Sequence, residues 1–283
     1  MEKHPSEIFG YPVDVHTSAA EAARRAHRCP FSGQKCNKKS RLLKYPMGVC
    51  SVQYGDHVVA ICPRRFLQEQ VVFLDVADQH FGTRDNLLLF QEVRLPTVGS
   101  FDFVMVKHKP LSSQIEDFVI IEIQTDQTTG TGQLVQALED FLQGETVVGR
   151  TYSFGLNTYD TLKRSFTQIL NKGVVLEQWG QKAYWVFQEP VYRNFVARYN
   201  LGGMTYDDGY TTVFLVYDLT RERDLYRLTR TRKLSASTEE LLSAFRNSPG
   251  VPSKDDFVAK LEEKIRAQLQ LKVRLQGADE EAQ

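Results

Sequence analysis

Gly99-Ser100-Phe101-Asp102-Phe103-Val104-Met105-Val106 and Asp117-Phe118-Val119-Ile120-Ile121-Glu122-Ile123-Gln124-Thr125 are neighbouring runs of β-branched and aromatic residues, each broken by few polar ones. Pro96 and Gly99 precede the first, and a Pro/Ser-bearing stretch at 109–113 separates the two, so they read as buried strands joined by a turn. A buried strand seldom keeps an acid, because an unpaired carboxylate is costly to desolvate. Asp102 and Glu122 sit inside the apolar runs of adjacent strands, where their carboxylates can converge on one cation. Gln124 is two residues beyond Glu122, and side chains alternate along a strand, so both point to one face.

The D…ExQ order resembles the signature of metal-dependent nucleases written PD…(D/E)xK, with Gln124 in the Lys position. An isolated ExQ also arises by chance, and a strand acid also serves to face a buried Arg or line a sheet edge. The signature therefore needs a second, independent feature.

The cysteines supply one. All four, Cys29, Cys36, Cys50 and Cys62, fall in one N-terminal window. Clustered thiols in a chain without an apolar targeting segment point to a reducing cytoplasm and a metal rather than disulfides. Four thiolates suit Zn²⁺ or Fe. The spacings C-x6-C, C-x13-C and C-x11-C contain no CxxC knuckle, and buried structural thiols are the alternative. Local context favours the metal. Pro follows both Cys29 and Cys62, and residues 48–62 read as a hairpin turning at Gly55-Asp56 that brings Cys50 and Cys62 side by side at its open end.

At 283 residues the chain holds one large domain, or a small module plus a core. Its composition, 42% hydrophobic and 25% charged, is that of an ordinary soluble globular protein, and no apolar run reaches membrane-spanning length. A formal net charge of zero argues against a generic nucleic-acid coater but not against an acidic site facing a basic cleft. Basic residues cluster at Arg24, Arg25 and Arg28, over 35–44 (five of ten residues Lys or Arg), and over 221–233. A solvated face is the commoner meaning of such a run. The stretch at 35–44, lying between cysteines, is the one expected to meet DNA backbone.

The remaining elements are coarser. Ser18 is placed to cap a short helix over 19–27, and residues 66–81 read as a helix closed by Gly82. Leu87 to Leu95 makes a strand holding Glu92, ahead of the Asp102 and Glu122 strands. Leu134, Leu138 and Phe141-Leu142 recur at helical spacing, and 158–170 is a second helix with Leu162, Phe166 and Ile169-Leu170 on one face. Strands at 183–187 and 211–217 flank a helix opened by Pro190, and amphipathic stretches at 238–245 and 254–269 precede an acidic tail. The expectation is an α/β (α+β) chain: a mixed sheet flanked by helices over 67–283, behind a small four-cysteine module over 1–66. Thr129-Gly130-Thr131-Gly132 lacks the Lys-Ser/Thr ending of a phosphate-binding P-loop, and the six His residues lack paired ligand spacing.

Taken together, Ile8-Phe9-Gly10-Tyr11, Cys29-Pro30-Phe31, Cys36, Gly48-Val49-Cys50, Ile61-Cys62-Pro63-Arg64, Phe90-Gln91-Glu92, Ser100-Phe101-Asp102, Ile121-Glu122-Ile123-Gln124-Thr125 and Lys163-Arg164-Ser165-Phe166-Thr167-Gln168 resemble the NotI family of type II restriction endonucleases. The resemblance runs from about residue 8 to about residue 172. It implies the PD-(D/E)xK fold, with Asp102 and Glu122 as Mg²⁺ ligands joined by the Ile123 carbonyl, and Gln124 and Glu92 as further catalytic residues. It also implies one structural iron (zinc being the alternative) held by Cys29, Cys36, Cys50 and Cys62. The implied activity is Mg²⁺-dependent hydrolysis of double-stranded DNA at a palindromic, GC-rich site, leaving 5′ overhangs. The implied setting is a homodimer in a bacterial cytoplasm, beside a cognate DNA methyltransferase. The stretch between the cysteines and Glu92 is brief for the family. A non-catalytic DNA-binding protein that keeps the nuclease fold is the alternative, and the intact Glu92, Asp102, Glu122 and Gln124 argue against it.

Mg²⁺ takes hard oxygen ligands and retains several waters, so two carboxylates suffice to hold it. Gln124 carries no charge and takes up no proton, which leaves activation of the water to the metal. Glu92 either binds a second ion or orients a water, or else pairs with Arg94 or another surface base. Lys163, Arg164 and Gln168 share a helical face directed at the cleft or at solvent.

Overall fold

In a computed structural model, residues 1–247 and 253–278 are described. The chain forms two compact units, Met1–Arg246 and Asn247–Gln283. The acidic tail of the sequence reading lies outside the described residues.

The first unit opens with β1 (Lys3–Ile8) and β2 (Tyr11–Pro12), followed by α1 (Ser18–Arg25). Thr17, rather than Ser18, caps α1: its hydroxyl accepts the Ala20 N–H at 3.3 Å. β3 (Val49–Tyr54) and β4 (His57–Ala60) form the expected hairpin, and the order of this small sheet is β2-β1-β3-β4. Tyr54 pairs with His57, which leaves a two-residue loop whose first residue, Gly55, sits at φ +62. That backbone favours glycine there.

A single helix over 66–81 does not form. The stretch is broken into a 3₁₀ segment (Pro63–Gln70), α2 (Val71–Val76) and a closing turn (Ala77–Phe81). Glu69 and Gln70 adopt left-handed φ of 50° and 58°, and Gly82 closes the run at φ +62. The break lets Arg65 turn inward. Its guanidinium meets the fully buried Glu7 at 2.9 Å, Gln68 at 2.8 Å and the Tyr226 carbonyl at 2.7 Å. A charge at such a site persists only when its hydrogen bonds are met, and the Ser51 hydroxyl supplies one more to Glu7 at 2.7 Å.

The main sheet has six strands. β5 (Leu87–Leu95), β6 (Gly99–His108) and β7 (Ile115–Gln124) form the expected antiparallel meander. The short β8 (Thr128–Thr129), α3 (Thr131–Leu142), the short β9 (Gly155–Leu156) and α4 (Thr158–Trp179) then cross over. β10 (Ala183–Gln188) runs parallel to β7. α5 (Glu189–Tyr199), with Pro190 in its first turn, leads to β11 (Thr212–Glu222), parallel to β10. β12 (Leu225–Ala236) folds back antiparallel, giving the order β12-β11-β10-β7-β6-β5, and α6 (Thr238–Arg246) follows.

Because side chains alternate, the central strands feed two cores. One holds Ile120, Trp185, Phe187 and Phe214 against Leu162, Phe166 and Ile169 of α4 and Phe195 of α5. The other holds Val119, Ile121, Ile123 and Val186 against Phe66, Val72, Phe73 and Val76. A third core seals the small sheet with Leu134, Ala137 and Leu138 of α3. The sheet thus has helices on both faces, as the mixed-sheet expectation required.

The second unit is carried by α7 (Lys254–Ala278), on which Phe257, Leu261, Ile265 and Leu269 recur at helical spacing and are exposed. No helix among the described residues is long and apolar enough to cross a membrane.

Candidate active site

The registers of the meander set the site. β5 pairs Gln91 with Phe103 and Val93 with Phe101, so Glu92 stands opposite Asp102. β6 pairs Val104 with Ile120 and Phe103 with Ile121, so the next position sets Asp102 opposite Glu122. Three acids on three adjacent strands therefore form one row across the sheet.

The ladder gives way along that row. Glu92 takes a left-handed φ of 52° and makes no ladder pair, and the β6–β7 pairing stops at Phe103–Ile121. Backbone held in this region by a non-glycine residue costs of order 1 kcal/mol or more, and such residues concentrate at functional sites. The Asp102 carboxylate takes the place of the missing strand partner by accepting the Ile123 N–H at 2.9 Å. One oxygen is thereby fixed at the point where the strands part.

Glu122 is 1% exposed. Its Oε1 accepts from the Lys172 ammonium at 2.6 Å, and the same ammonium donates to the Ser100 carbonyl at 2.8 Å. Burial pushes the Glu122 carboxyl up from 4.5 to about 7; Lys172 pulls it down and the neighbouring Asp102 adds to the rise. Gln124 is also buried: its oxygen accepts the Ser165 hydroxyl at 2.7 Å, and its amide reaches Gln168 at 3.4 Å. Two residues on, buried Asp126 accepts from Thr158 at 2.6 Å and Thr161 at 3.1 Å. Its carboxyl is raised by burial, against those hydrogen bonds.

Glu122, Gln124 and Asp126 thus meet Lys172, Ser165 and Thr161 pair by pair along α4. Sequence reasoning reached the strand side of this seam as far as Gln124 and missed Asp126, Ser165 and Lys172. The signal was there: Asp126 continues the alternation of Glu122 and Gln124, and Thr161, Ser165, Gln168 and Lys172 fall three or four apart on one helical stripe.

Glu92 and Asp102 open into a cleft of about 490 Å³ whose lining includes Arg164 of α4, and Lys38, Cys62 and Arg64 of the cysteine-bearing segment. Glu122 and Gln124 lie behind this wall, against α4. Glu92 makes no ion pair with Arg94 among the described residues. Of the helical face expected at 163–168, Arg164 lines the cleft, Gln168 turns to Gln124, and Lys163 is exposed. Gly130 of the Gly-rich stretch sits at φ +67 and precedes α3, packed on the Ser153 and Phe154 backbone.

Cys50 and Cys62 lie at the open end of the β3–β4 hairpin, where the Ile61 N–H donates to the Cys50 carbonyl at 3.0 Å. Cys29 and Cys36 belong to a tight turn in which Cys29 N–H bonds the Gln34 carbonyl at 2.7 Å and Cys36 N–H bonds the His27 carbonyl at 2.8 Å. Burial raises the Cys50 thiol most, and Glu7, Cys62 and Cys29 add to the rise. The Lys38 ammonium donates to the Ile61 carbonyl at 2.8 Å and is lowered by burial against the pull of Cys62, Cys50 and Cys36. Among the described residues no three Cys, His, Asp or Glu side chains are gathered as a metal-holding group. The donor chemistry of four thiols beside one ammonium suits a tetrathiolate ion, while the gathering of its ligands is not seen.

The remaining cations divide in two. Lys35, Lys39, Arg41 and Lys44 are exposed and meet no carboxylate among the described residues. In the later run, Arg221 pairs with Asp14 at 3.1 Å, Arg230 with Asp75 at 3.4 Å and Arg232 with Glu189 at 2.9 Å, while Arg227 pairs with Glu69.

A helix-flanked mixed sheet that carries a row of acids to the edge of a cation-lined cleft is consistent with a nuclease. The family model of the restriction endonuclease NotI matches residues 7–228, and the chain belongs to that family of type II site-specific deoxyribonucleases, whose substrate is DNA. No curated protein matches the chain.

Proposed function

We propose that this restriction endonuclease hydrolyses both strands of a palindromic, GC-rich duplex site with Mg²⁺, leaving 5′ overhangs, as a homodimer in a bacterial cytoplasm beside a cognate methyltransferase. The observation that carries the catalytic reading is the row Glu92–Asp102–Glu122 at the parting of β5, β6 and β7. Asp102 and Glu122 are the metal ligands, and Glu92, exposed at the cleft, is a further acid for the ion or its water. The fit is supported by the Asp102 carboxylate, which the Ile123 N–H engages through Oδ2 only. It also requires Glu122 to loosen its hold on Lys172. When bound, Mg²⁺ supplies charge stabilisation at the phosphate and lowers the pKa of the attacking water.

The protein's own contribution is positional. The Ile123 N–H and the Lys172 ammonium fix the two carboxylates, and Ser165 and Gln168 hold the Gln124 amide. Residues 1–66 act as a structural module around one iron, with zinc as the alternative, held by Cys29, Cys36, Cys50 and Cys62. Residues 67–283 act as the nuclease part. A two-fold dimer presents one reading surface twice, as a palindrome requires.

Incubation of the purified protein with a long DNA of known sequence and Mg²⁺ tests this reading. Discrete fragments are expected, and their ends give the site. Asp102→Ala and Glu122→Ala should abolish cutting while specific binding in Ca²⁺ remains, and Gln124→Ala should slow it by orders of magnitude. Shifts without cutting by the wild type would leave a binder only. Elemental analysis with a visible spectrum separates iron, whose ferric thiolates absorb strongly, from colourless d¹⁰ zinc.

A further inference from the structure

We infer that Arg64 and Arg164 close on the scissile phosphate from opposite walls of the cleft, so that the cysteine-bearing segment supplies a catalytic side chain as well as a DNA-contacting loop. The inference rests on the nuclease reading above and adds to it the phosphate-binding groups that neither the D…ExQ signature nor Gln124 provides.

Four observations carry it. First, the 490 Å³ cleft lined by Glu92 and Asp102 is lined by both arginines as well. They come from different elements: Arg64 from the 3₁₀ segment directly after Cys62-Pro63, and Arg164 from the first half of α4. Second, neither is consumed by a carboxylate. Arg64 donates only to the Ser32 hydroxyl, at 3.1 Å, and Arg164 makes no hydrogen bond or ion pair among the described residues, its charge acting on Asp126 only at a distance. By contrast, Arg221, Arg227, Arg230 and Arg232 of the later basic run each find an acid. Third, the neighbouring Arg65 points the other way into its buried pair with Glu7, which fixes the backbone that presents Arg64. Fourth, the residue at the position that commonly carries a lysine is Gln124, which is neutral and buried against α4. Negative charge developing on a phosphate in the cleft beside Glu92 and Asp102 therefore needs cations from elsewhere in the chain.

A guanidinium presents several N–H donors in a planar fork that fits two phosphate oxygens at once. One such group on either side of the cleft would hold the non-bridging oxygens while the water attacks in line and the 3′ oxygen leaves. The bond from phosphorus to the 3′ oxygen breaks as a P–O bond to the water oxygen forms, the attacking water's proton goes to solvent, and the leaving 3′ oxygen takes a proton from a solvent water.

The test separates cutting from binding. Single-turnover cleavage in Mg²⁺, affinity in Ca²⁺ and the salt dependence of binding are measured for the wild type, Arg64→Ala, Arg64→Lys, Arg164→Ala and Ser32→Ala. Loss of one donor to a charged transition state lowers rates by about 100-fold or more, so Arg64→Ala and Arg164→Ala should each show that fall. Affinity should fall less than about tenfold, and the slope of log K against log salt should become shallower by about one. Arg64→Lys keeps the charge and loses the fork, and should lie between. Ser32→Ala removes only the hydrogen bond within the segment and should cut like the wild type.

Arg64→Ala cutting within about threefold of a cutting wild type would overturn the inference, as would Ser32→Ala reproducing the loss. A wild type that binds but never cuts would instead overturn the nuclease reading. An unchanged salt slope in Arg64→Ala would then still remove the phosphate contact.

Discussion

Two basic runs of similar density meet opposite fates in this molecule. Between 221 and 233 the cations lie on the β11–β12 hairpin of the main sheet, where Asp14, Asp75, Glu69 and Glu189 each take one of them. Lys233, at the end of the run, lies over the Tyr206 ring at 3.5 Å. Between 35 and 44, Lys38 alone turns inward, and Lys35, Lys39, Arg41 and Lys44 stay in water without an acid beside them. A cation already paired has little left to offer a phosphate, whereas an unpaired one gains a partner and releases counterions when DNA arrives. The sequence shows a similar density of cations in both places, with Glu222 and Asp224 inside the later run. Only the fold tells spent charge from available charge.

The contrast is broken or sharpened most strongly by moving charge. Replacing Lys35, Lys39, Arg41 and Lys44 together by alanine should weaken DNA binding by about 100-fold or more at moderate salt, and flatten the salt slope by about three to four. Replacing Arg221, Arg227, Arg230 and Arg232 should leave affinity within about threefold and lower the melting temperature instead. Filter binding across a salt series, with a thermal melt beside it, checks both; equal losses of affinity would end the distinction.

Lys172 and Glu122 are the interior version of a paired cation, and pH probes them. A carboxyl raised to about 7 is protonated below that value, and a protonated Glu122 cannot ligate a metal. Cleavage at limiting Mg²⁺ should therefore fall about tenfold per pH unit below 7, and more Mg²⁺ should move the midpoint to lower pH because metal and proton compete. Without metal the sign for stability is the reverse. The folded pKa exceeds the unfolded one, so stability is greatest below about 4.5 on this account and declines as pH rises towards 7. A rate flat from pH 5.5 to 8 would remove Glu122 as a ligand.

The smallest effect belongs to the paired run. Glu189 accepts from Arg193 at 3.0 Å, Arg232 at 2.9 Å and Thr231 at 3.0 Å, with its own side chain 5% exposed and both arginines more than half exposed. Glu189→Gln should cost about 1 kcal/mol, which is a few degrees of melting temperature, and leave DNA binding alone. Lys39→Ala should do the opposite.

Much of this was legible in the chain. The apolar runs around Asp102 and Glu122, the Leu87–Leu95 strand, the Gly55-Asp56 hairpin and Pro190 opening a helix are local signals, and each forms where its residues indicate. The losses have long-range causes. β1 contains Pro5 and charged residues, and becomes a strand because Glu7 is met by Arg65 from far along the chain. β12 read as a basic cluster because its alternation is carried by Arg and Thr, whose partners lie on other elements. α4 ends at Trp179 rather than Leu170, since Asn171, Lys172 and Gly173 look like a stop until Lys172 finds Glu122 and Gly173 packs closely on Thr238. The site followed the same division: the acids were visible from their apolar context, and the groups that hold them were not.

The polar pairs that Glu122 and Gln124 of β7, and Asp126 just beyond it, make with α4 also act as a register key. Apolar contacts between a strand and a helix tolerate sliding, because one branched side chain substitutes for another. Here a slip of β7 by one residue would turn Ile121 and Ile123 towards Lys172 and Ser165 and drive Glu122 and Gln124 into the opposite apolar core. Every pair would fail at once, each leaving an unmet buried polar group. The strand is therefore indexed against the helix to a single residue, and the Asp102 opposite it inherits that alignment.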